Sequence, residues 1–419
     1  MRVLHLSAWN DQCGIGGYAK NLIAALQQQP SVISDVYPPR RQPLVLMSND
    51  QLREVFDSFL VLASTADLVH IQHEHAFFAG RHGYARAVRQ FGWLLTQLRQ
   101  RDVPIVVTFH SEPTSDAFAG RARVGKRGRL RSGYERALWR WHVARHFRRG
   151  KGRRLAIAHT RRGRLALIES GFNPAQVQVV PPGHPRRSVL PQSERALAKE
   201  RLGFPKQATV LSLFGSVANH ASYSWAVETL KTLPPSFVLA VVGGNPVSPD
   251  DDIVNRVLDS WKHQNPSRLR ITGFVSPEMV DAYHAATDIC LVPHLPCNVS
   301  AWAAMPWALT AGRPTIASDI PAFRHLNEDA GCLLLARPGD VGELGARIRE
   351  LAADAAKQED LVRRALTYAS ANGWDQLAAR HLEIYQSLVH QPAPQPEFEA
   401  HTRLDLVHAT RVADLFTGR

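Results

Sequence analysis

Short apolar runs recur along the chain, each bounded by polar or turn residues. Residues 3–7 (VLHLS), 68–72 (LVHIQ), 105–109 (IVVTF), 155–159 (LAIAH) and 177–180 (VQVV) read as strands. Segments with helical spacing of apolar positions stand between them, at 18–28, 134–147 and 161–170. In the third of these strand–helix units, Tyr134, Leu138, Trp141 and Val143 with Ala144 form the side expected to be buried. A polar, charged and proline-containing stretch at 185–206 reads as a linker with a short helix. The alternation then resumes, with strands at 209–214, 237–242, 269–272, 289–292 and 315–318, and helices on to about residue 389. Strands that alternate with helices demand a parallel sheet. A proline-rich break (QPAPQPE) follows at 391–397, and the tail carries one short helical pattern at 404–416.

The clearest stretch is 271–323, ITGFVSPEMVDAYHAATDICLVPHLPCNVSAWAAMPWALTAGRPTIASDIPAF. It parses as a βαβαβ run. The loop from Pro293 to Trp302 lies where a strand ends and a helix begins. In open α/β sheets that is where ligands bind, and the helix N-terminus favours phosphate. The segment is therefore a half-site for a phosphate-bearing ligand.

Length and charge narrow the picture. A chain of 419 residues suits two domains. It contains no apolar run of about 18 residues, the length that spans a bilayer, and MRVLHLSAWN reads as a strand and loop, not a signal peptide. Cys13, Cys290, Cys297 and Cys332 form no CxxC pair and no metal spacing, which points to a reducing, cytoplasmic setting and no bound metal. The net charge of +13 calls for an anionic partner. Much of it lies between Arg121 and Arg154, where Glu135 is the one acid.

Four constellations carry candidate chemistry. Cys13-Gly14-Ile15-Gly16-Gly17 follows the first strand, and its glycines let backbone approach a ligand. It lacks the acid of a dinucleotide fingerprint. Gln72-His73-Glu74-His75 and Thr108-Phe109-His110-Ser111 each end a strand. His70 and His75 are metal ligands by type, without the helical spacing of a zinc protease. Leu213-Phe214-Gly215-Ser216 runs into Asn219-His220 at the end of another strand. For each, the plain alternative is a tight turn or a strand-end side chain satisfied by its own loop.

Gly273-Phe274, Asp288, Pro293, Ser300, Gly312-Arg313-Pro314 and residues 316–319 stand in an order that resembles the donor half of a family-four, retaining glycosyltransferase of GT-B fold. The resemblance covers nearly the whole chain to about residue 390. It implies an α/β protein with two Rossmann-like, doubly wound domains facing a central cleft. The expected division is an acceptor-side domain at 1–185 and a nucleotide-sugar domain at 186–375. A helix at 376–390 would cross back to the first domain, and 391–419 would be linker and tail. The implied activity moves a sugar from a nucleotide-sugar to an acceptor hydroxyl with retention, with no cofactor beyond that co-substrate and no metal.

The resemblance also assigns residues. His110 is the expected catalytic contact at the sugar, and Glu74 the group that helps deprotonate the acceptor. Donor contacts fall on Gly16, Gly17, Gly215, Ser216, Asn219, His220, Gly273, Phe274, Asn298, Ser300, Ala301 and Trp302. Acceptor or surface contacts fall on Tyr18, His73, Arg121, Arg123, Lys126, Arg127 and Arg129, the last five on a mobile loop at 121–131. Basic charge beside tryptophan suits an anionic membrane face, so peripheral attachment to the inner face of a membrane is expected. The chain departs from the family in two places. Val299 and Trp307 replace its glutamate pair, and Ser216, Asn219 and His220 stand where its Arg and Lys clamp the diphosphate. Two alternatives stay open: the same chemistry on a nucleic-acid acceptor, which the basic segment also suits, and a non-catalytic GT-B binding protein, for which these departures speak.

Overall fold

The computed structural model describes residues 1–9, 14–37, 48–79, 83–111, 126–148, 153–186, 192–215, 221–243, 252–295 and 304–390. The expected tail pattern at 404–416 lies outside them. The first half runs β1 (Arg2–Leu6), α1 (Gly14–Leu26), β2 (Ile33–Tyr37), α2 (Asn49–Ala63), β3 (Leu68–His73) and α3 (His75–Ala79). It continues α4 (Tyr84–Gln100), β4 (Ile105–Phe109), α5 (Lys126–His142), β5 (Arg154–Ala158), α6 (Arg161–Glu169) and β6 (Val177–Val179). The second half runs α7 (Gln192–Arg201), β7 (Thr209–Phe214), α8 (Ala221–Thr232), β8 (Phe237–Val242), α9 (Asp252–Gln264) and β9 (Leu269–Ile271). Next come α10 (Pro277–Ala286), β10 (Ile289–Val292), α11 (Ala304–Thr310), β11 (Thr315–Ser318), α12 (Pro321–Ala330) and β12 (Leu333–Ala336). Three helices close the described chain: α13 (Val341–Ala353), α14 (Ala355–Ala371) and α15 (Trp374–Val389).

Two sheets result, ordered β2-β1-β3-β4-β5-β6 and β12-β11-β10-β7-β8-β9. Every pairing within both is parallel. Each order reverses direction part-way, so helices cover both faces and the carboxyl ends of the strands share one edge. The strands β2 and β12 were not apparent in the sequence pattern. ISDVY carries only three apolar residues, and LLLA sits among helices.

The two faces of the first sheet differ in kind. One, with Leu4, Leu6, Val69, Ile71, Val107 and Phe109, is apolar apart from His73 and packs on α2, α4 and α5. The other begins apolar with Val3, Leu68, Val106, Leu155 and Ile157 under α1 and α15. Toward the carboxyl edge it turns polar, with His5, His70, Gln72, Thr108, His110 and His159 all buried.

The basic segment folds differently from the sequence expectation. From Lys126 onward it is helix, not loop, while Arg121 and Arg123 lie outside the described residues. Trp139 is the buried tryptophan, at 1% exposure, inside the aromatic core with Phe109 and Phe172. Trp141, expected inside, is 47% exposed and lies beside Arg145, whose guanidinium carbon is 5.9 Å from the ring centroid. Leu138, Val143 and Ala144 are buried as expected, and the stripe differs at one residue, where Trp139 and not Trp141 faces inward.

The chain crosses between the halves twice, and the two crossings are pinned side by side. The His184 amide donates to the Asn372 carbonyl at 3.0 Å, and His184 pairs with Gly373 as a short parallel bridge. Trp374 then starts α15, which returns to pack on α1 through Leu377, Ala378, Ile384, Tyr385 and Leu388. A side-chain carbon on Gly183 would overlap the Trp374 ring, which has no flexible end to move aside. Gly183→Ala is therefore expected to lower the unfolding free energy by about 1–3 kcal/mol. A thermal melt reads the loss, and an unchanged midpoint would mean that this crossing tolerates extra bulk.

Candidate active site

Parallel pairing brings the ends of β3, β4 and β5 into register, with His73 opposite Phe109 and Phe109 opposite Ala158. The residues that follow β4 and β5 are His110 and His159, so their rings are neighbours. His159 Nδ1 lies 3.0 Å from the Val180 carbonyl, and His159 Nε2 lies 3.2 Å from His110 Nδ1. His110 Nε2 lies 2.8 Å from Gln72 Oε1. Gln72 Nε2 is 3.2 Å from His70 Nε2, which is also 2.8 Å from Thr108 Oγ1. His70 Nδ1 meets the Tyr385 hydroxyl at 2.7 Å. A continuous buried chain thus runs from the last described helix to the carboxyl edge of the first sheet.

Burial keeps these rings neutral. Desolvation first, then the neighbouring His159, holds the His110 imidazole well below its ordinary pKa. Burial likewise lowers His70, with His5, His381, His110 and His159 adding to it, and brings His159 down to about 4. His5 falls to about 3, and His184 and His381 to about 4, with desolvation the largest cause in each.

Other expected site residues fall in several places. Glu74 follows β3 at the same edge, and its Oε2 accepts the Ser111 hydroxyl at 2.7 Å. Gly16 and Gly17 lie in the first turns of α1, which begins at Gly14, so this glycine run is helix and not the turn expected. Among the described residues, a side-chain carbon on Gly17 would meet nothing within 4 Å. Tyr18 and His73 do not reach an open surface. The early start of α1 turns Tyr18 inward, with its ring 5.1 Å from both His110 and His159. The His73 ring, on the apolar face, is packed against Phe78, Phe91 and Phe109. Of the basic residues, Lys126, Arg127 and Arg129 lie in the first turns of α5.

In the second half, turn glycines mark the carboxyl edge. Gly215, Gly243 and Gly273 follow β7, β8 and β9, all with φ in the left-handed range, at 125°, 145° and 71°. At Gly243 a side chain would run into the Gly215 carbonyl, so only glycine lets these two loops cross. Gly215 abuts Ala304, the first residue of α11. Phe274 stands out at 65% exposure. Ser216, Asn219, His220, Asn298, Ser300, Ala301 and Trp302 lie outside the described residues. Trp307 is half-buried in α11, with its ring 6.1 Å from that of His284.

Two motif residues turn out to hold the fold. Asp288 Oδ2 accepts from the Val210 amide at 2.7 Å and Lys199 Nζ at 2.6 Å, tying α7 to the sheet. Arg313 is 4% exposed and donates to the Thr287, Ala285 and Gly312 carbonyls. Between the halves a cavity of about 200 Å³ is lined by His159, Thr160, Arg161 and His184 on one side and Met305, Phe323 and His325 on the other. Arg161 and Asp329 form an ion pair across it at 2.7 Å.

A family model described as glycosyl transferases group 1 matches residues 208–354. A D-inositol 3-phosphate glycosyltransferase of Kineococcus radiotolerans is 27% identical over 360 residues, 80% of this chain and 77% of the relative. The lipopolysaccharide glucosyltransferase WaaG of Escherichia coli is 22% identical over 292 residues, 64% of this chain and 73% of its own. This chain is a group 1 glycosyltransferase of GT-B fold. Among solved structures, Anabaena Alr3699/HepE in complex with UDP-glucose superposes with a TM-score of 0.66 at 17% identity, over 91% of this chain and 99% of that one. The transferase uses a nucleotide-sugar donor.

Residues that the sequence reading left without a role here are Gln72, Thr108, His159 and Tyr385. A signal for three of them was present. In LVHIQ, VVTFH and LAIAH the polar residues fall on alternate positions of otherwise apolar strands, so each strand end carries its polar side chains on one face. Tyr385 had no such signal.

The neutral rings set a pH dependence for the transferase. Their folded pKa values lie below the ordinary 6.5. The unfolded chain therefore binds more protons between about pH 6.5 and about pH 4. Stability is full above that window and is lost as pH falls through it, by up to about 1.4 kcal/mol per pH unit for each ring. Urea unfolding at about pH 7.5 and about pH 5 should show a marked drop in midpoint; equal midpoints would mean that the rings are solvated.

Proposed function

We propose that this transferase moves a sugar from a uridine-diphosphate sugar to a hydroxyl of a glycan or lipid-linked acceptor, with retention of configuration. The observation that carries the reading is the pairing of two strand-end edges. One holds the neutral His110 beside Glu74, and the other the close turns at Gly215, Gly243 and Gly273. On this reading the absence of a side chain at Gly17 admits the donor's diphosphate. The exposed Phe274 ring stacks on the base. Amides in the stretch from Asn298 to Trp302 stabilise the departing diphosphate without a cation clamp. Glu74 orients the acceptor hydroxyl and draws off its proton. The UDP and UDP-glucose of the Anabaena relative make uridine nucleotides the first donors to try.

Calorimetry against UDP, GDP, ADP and CMP tests the donor side, with UDP expected to bind and a blank panel removing the uridine-nucleotide reading. His110→Ala is expected to slow UDP release from the sugar nucleotide by about a hundredfold while leaving UDP affinity within about threefold. A full rate in that variant would take His110 out of the reaction.

The lipid-linked acceptor is favoured by the face of α5 and the turn after it. There the exposed Trp141 lies near Arg145, with Arg136 and Arg148 also exposed. An amphipathic ring set among cations suits an anionic bilayer surface. Trp141→Ala combined with Arg136→Glu and Arg148→Glu should reduce sedimentation with phosphatidylglycerol vesicles several-fold. Unchanged sedimentation would exclude this face, and retention on duplex DNA lost in the same variant would favour a nucleic-acid acceptor instead.

A further inference from the structure

We propose that His159 is a positioning residue that holds His110 as its Nδ1–H tautomer, so that His110 Nε2 presents a lone pair to a hydroxyl of the bound sugar. The inference rests on the reading that His110 stands at the transfer centre, and it follows from counting donors along the buried chain.

The Val180 carbonyl can only accept, so the His159 nitrogen 3.0 Å away, Nδ1, must donate. A neutral imidazole has one N–H, so His159 Nε2 accepts. The nitrogen facing it at 3.2 Å, His110 Nδ1, must then be the donor. His110 has thereby used its one proton, and its Nε2 is an acceptor. Opposite Nε2, at 2.8 Å, lies one end of the Gln72 amide. If that end is the oxygen, His110 must donate from both nitrogens and carry a buried positive charge. Turning the amide by 180° exchanges oxygen and nitrogen at nearly unchanged positions. The amide nitrogen then donates to His110 Nε2, and the amide oxygen, 3.2 Å from His70 Nε2, shares that ring's one proton with Thr108 Oγ1 at 2.8 Å. His70 Nδ1 is left to accept from the Tyr385 hydroxyl at 2.7 Å.

In this arrangement each link has one donor and one acceptor, from Tyr385 through His70, Gln72, His110 and His159 to Val180. No charge is buried. The alternative places an imidazolium among His159, Gln72 and Tyr18, with His70 and His73 as the next titratable rings. The neutral order wins because burial, and then the adjacent His159 ring, disfavour the charged form of His110. Its chemical consequence is directional. Nδ1 is committed to His159, and Nε2 accepts, so what replaces the Gln72 amide at Nε2 must be a hydrogen-bond donor, as a sugar hydroxyl is.

The test is a nitrogen–proton correlation spectrum of the full chain labelled with ¹⁵N-histidine, at about pH 7.5. His110 and His159 signals are assigned by their loss in His110→Gln and His159→Gln. Both rings are expected in the neutral Nδ1–H pattern. An Nε2–H or doubly protonated His110 overturns the inference. Activity adds a second readout, UDP release from UDP-glucose. His159→Leu should lower kcat by at least about tenfold with KM for UDP-glucose within about threefold. His159→Gln, whose carbonyl can accept the same bond, should keep most of the rate. Equal losses in the two variants, with equal melting temperatures, would reduce His159 to packing and sink the proposal. If His159→Leu does not fold, the wild-type spectrum still decides. If His110→Gln releases UDP at the full rate, the placement of His110 at the transfer centre fails, and the tautomer is judged separately from the spectrum.

Discussion

The architecture turns on a polar layer that has to be buried. On one face of the first sheet, the carboxyl halves of β1, β3, β4 and β5 carry His5, His70, Gln72, Thr108, His110 and His159. Buried polar groups are tolerable only when paired. Here His70, Gln72, Thr108, His110 and His159 pair with one another and with a helix from the far end of the chain, and His5 pairs with Ser34 on β2. Tyr385 on α15 closes the hydrogen-bond chain at His70, a partner more than three hundred positions away in sequence. The same helix seals the apolar half of the face with Leu377, Ile384 and Leu388. Docking of the crossover helix and completion of the site are therefore one event, and the apolar and polar parts of the interface specify the same register.

The second half meets a different constraint. Its carboxyl edge brings loop backbones close to one another, and it does so with turns that only glycine permits. Gly243 lies against the Gly215 carbonyl, and Gly215 lies against the start of α11. Side chains would fill that space, and left-handed φ values would strain them. On the proposed donor reading, amide groups in such turns and at a helix start offer fixed positive dipoles in place of a cation clamp.

Residues that carry a family pattern need not touch its ligand. Asp288 and Arg313 belong to the motif that marks the donor half, yet both are spent on internal bonds. Asp288 gathers Lys199 and the Val210 amide, and Arg313 holds the carbonyls at the end of α10. They keep β10 and α10 in place. The first-half histidines divide in the same way. His73 fills an aromatic core, whereas its neighbour Gln72 faces the opposite side and joins the polar chain. One step along a strand reverses the face, so adjacent residues in QHEH serve unrelated ends.

The sequence alone determined the two βα series, the parallel sheets and the strand-end positions of His110, Glu74, Gly215 and Gly273. Hydrophobic periodicity and turn residues are local properties that survive without knowledge of neighbours. Short strands with mixed composition, β2 and β12, escaped it because their burial depends on the strand beside them. The helical stripe of α5 was wrong at one residue, since spacing alone does not say whether Trp139 or Trp141 faces Phe109. Only the tertiary structure decided that Tyr18 and His73 turn inward, that α1 starts within the glycine run, and that Gln72, His159 and Tyr385 share one hydrogen-bond chain with His110. Those facts depend on register between strands and on a helix that returns across the whole chain, and a linear pattern does not encode either of them.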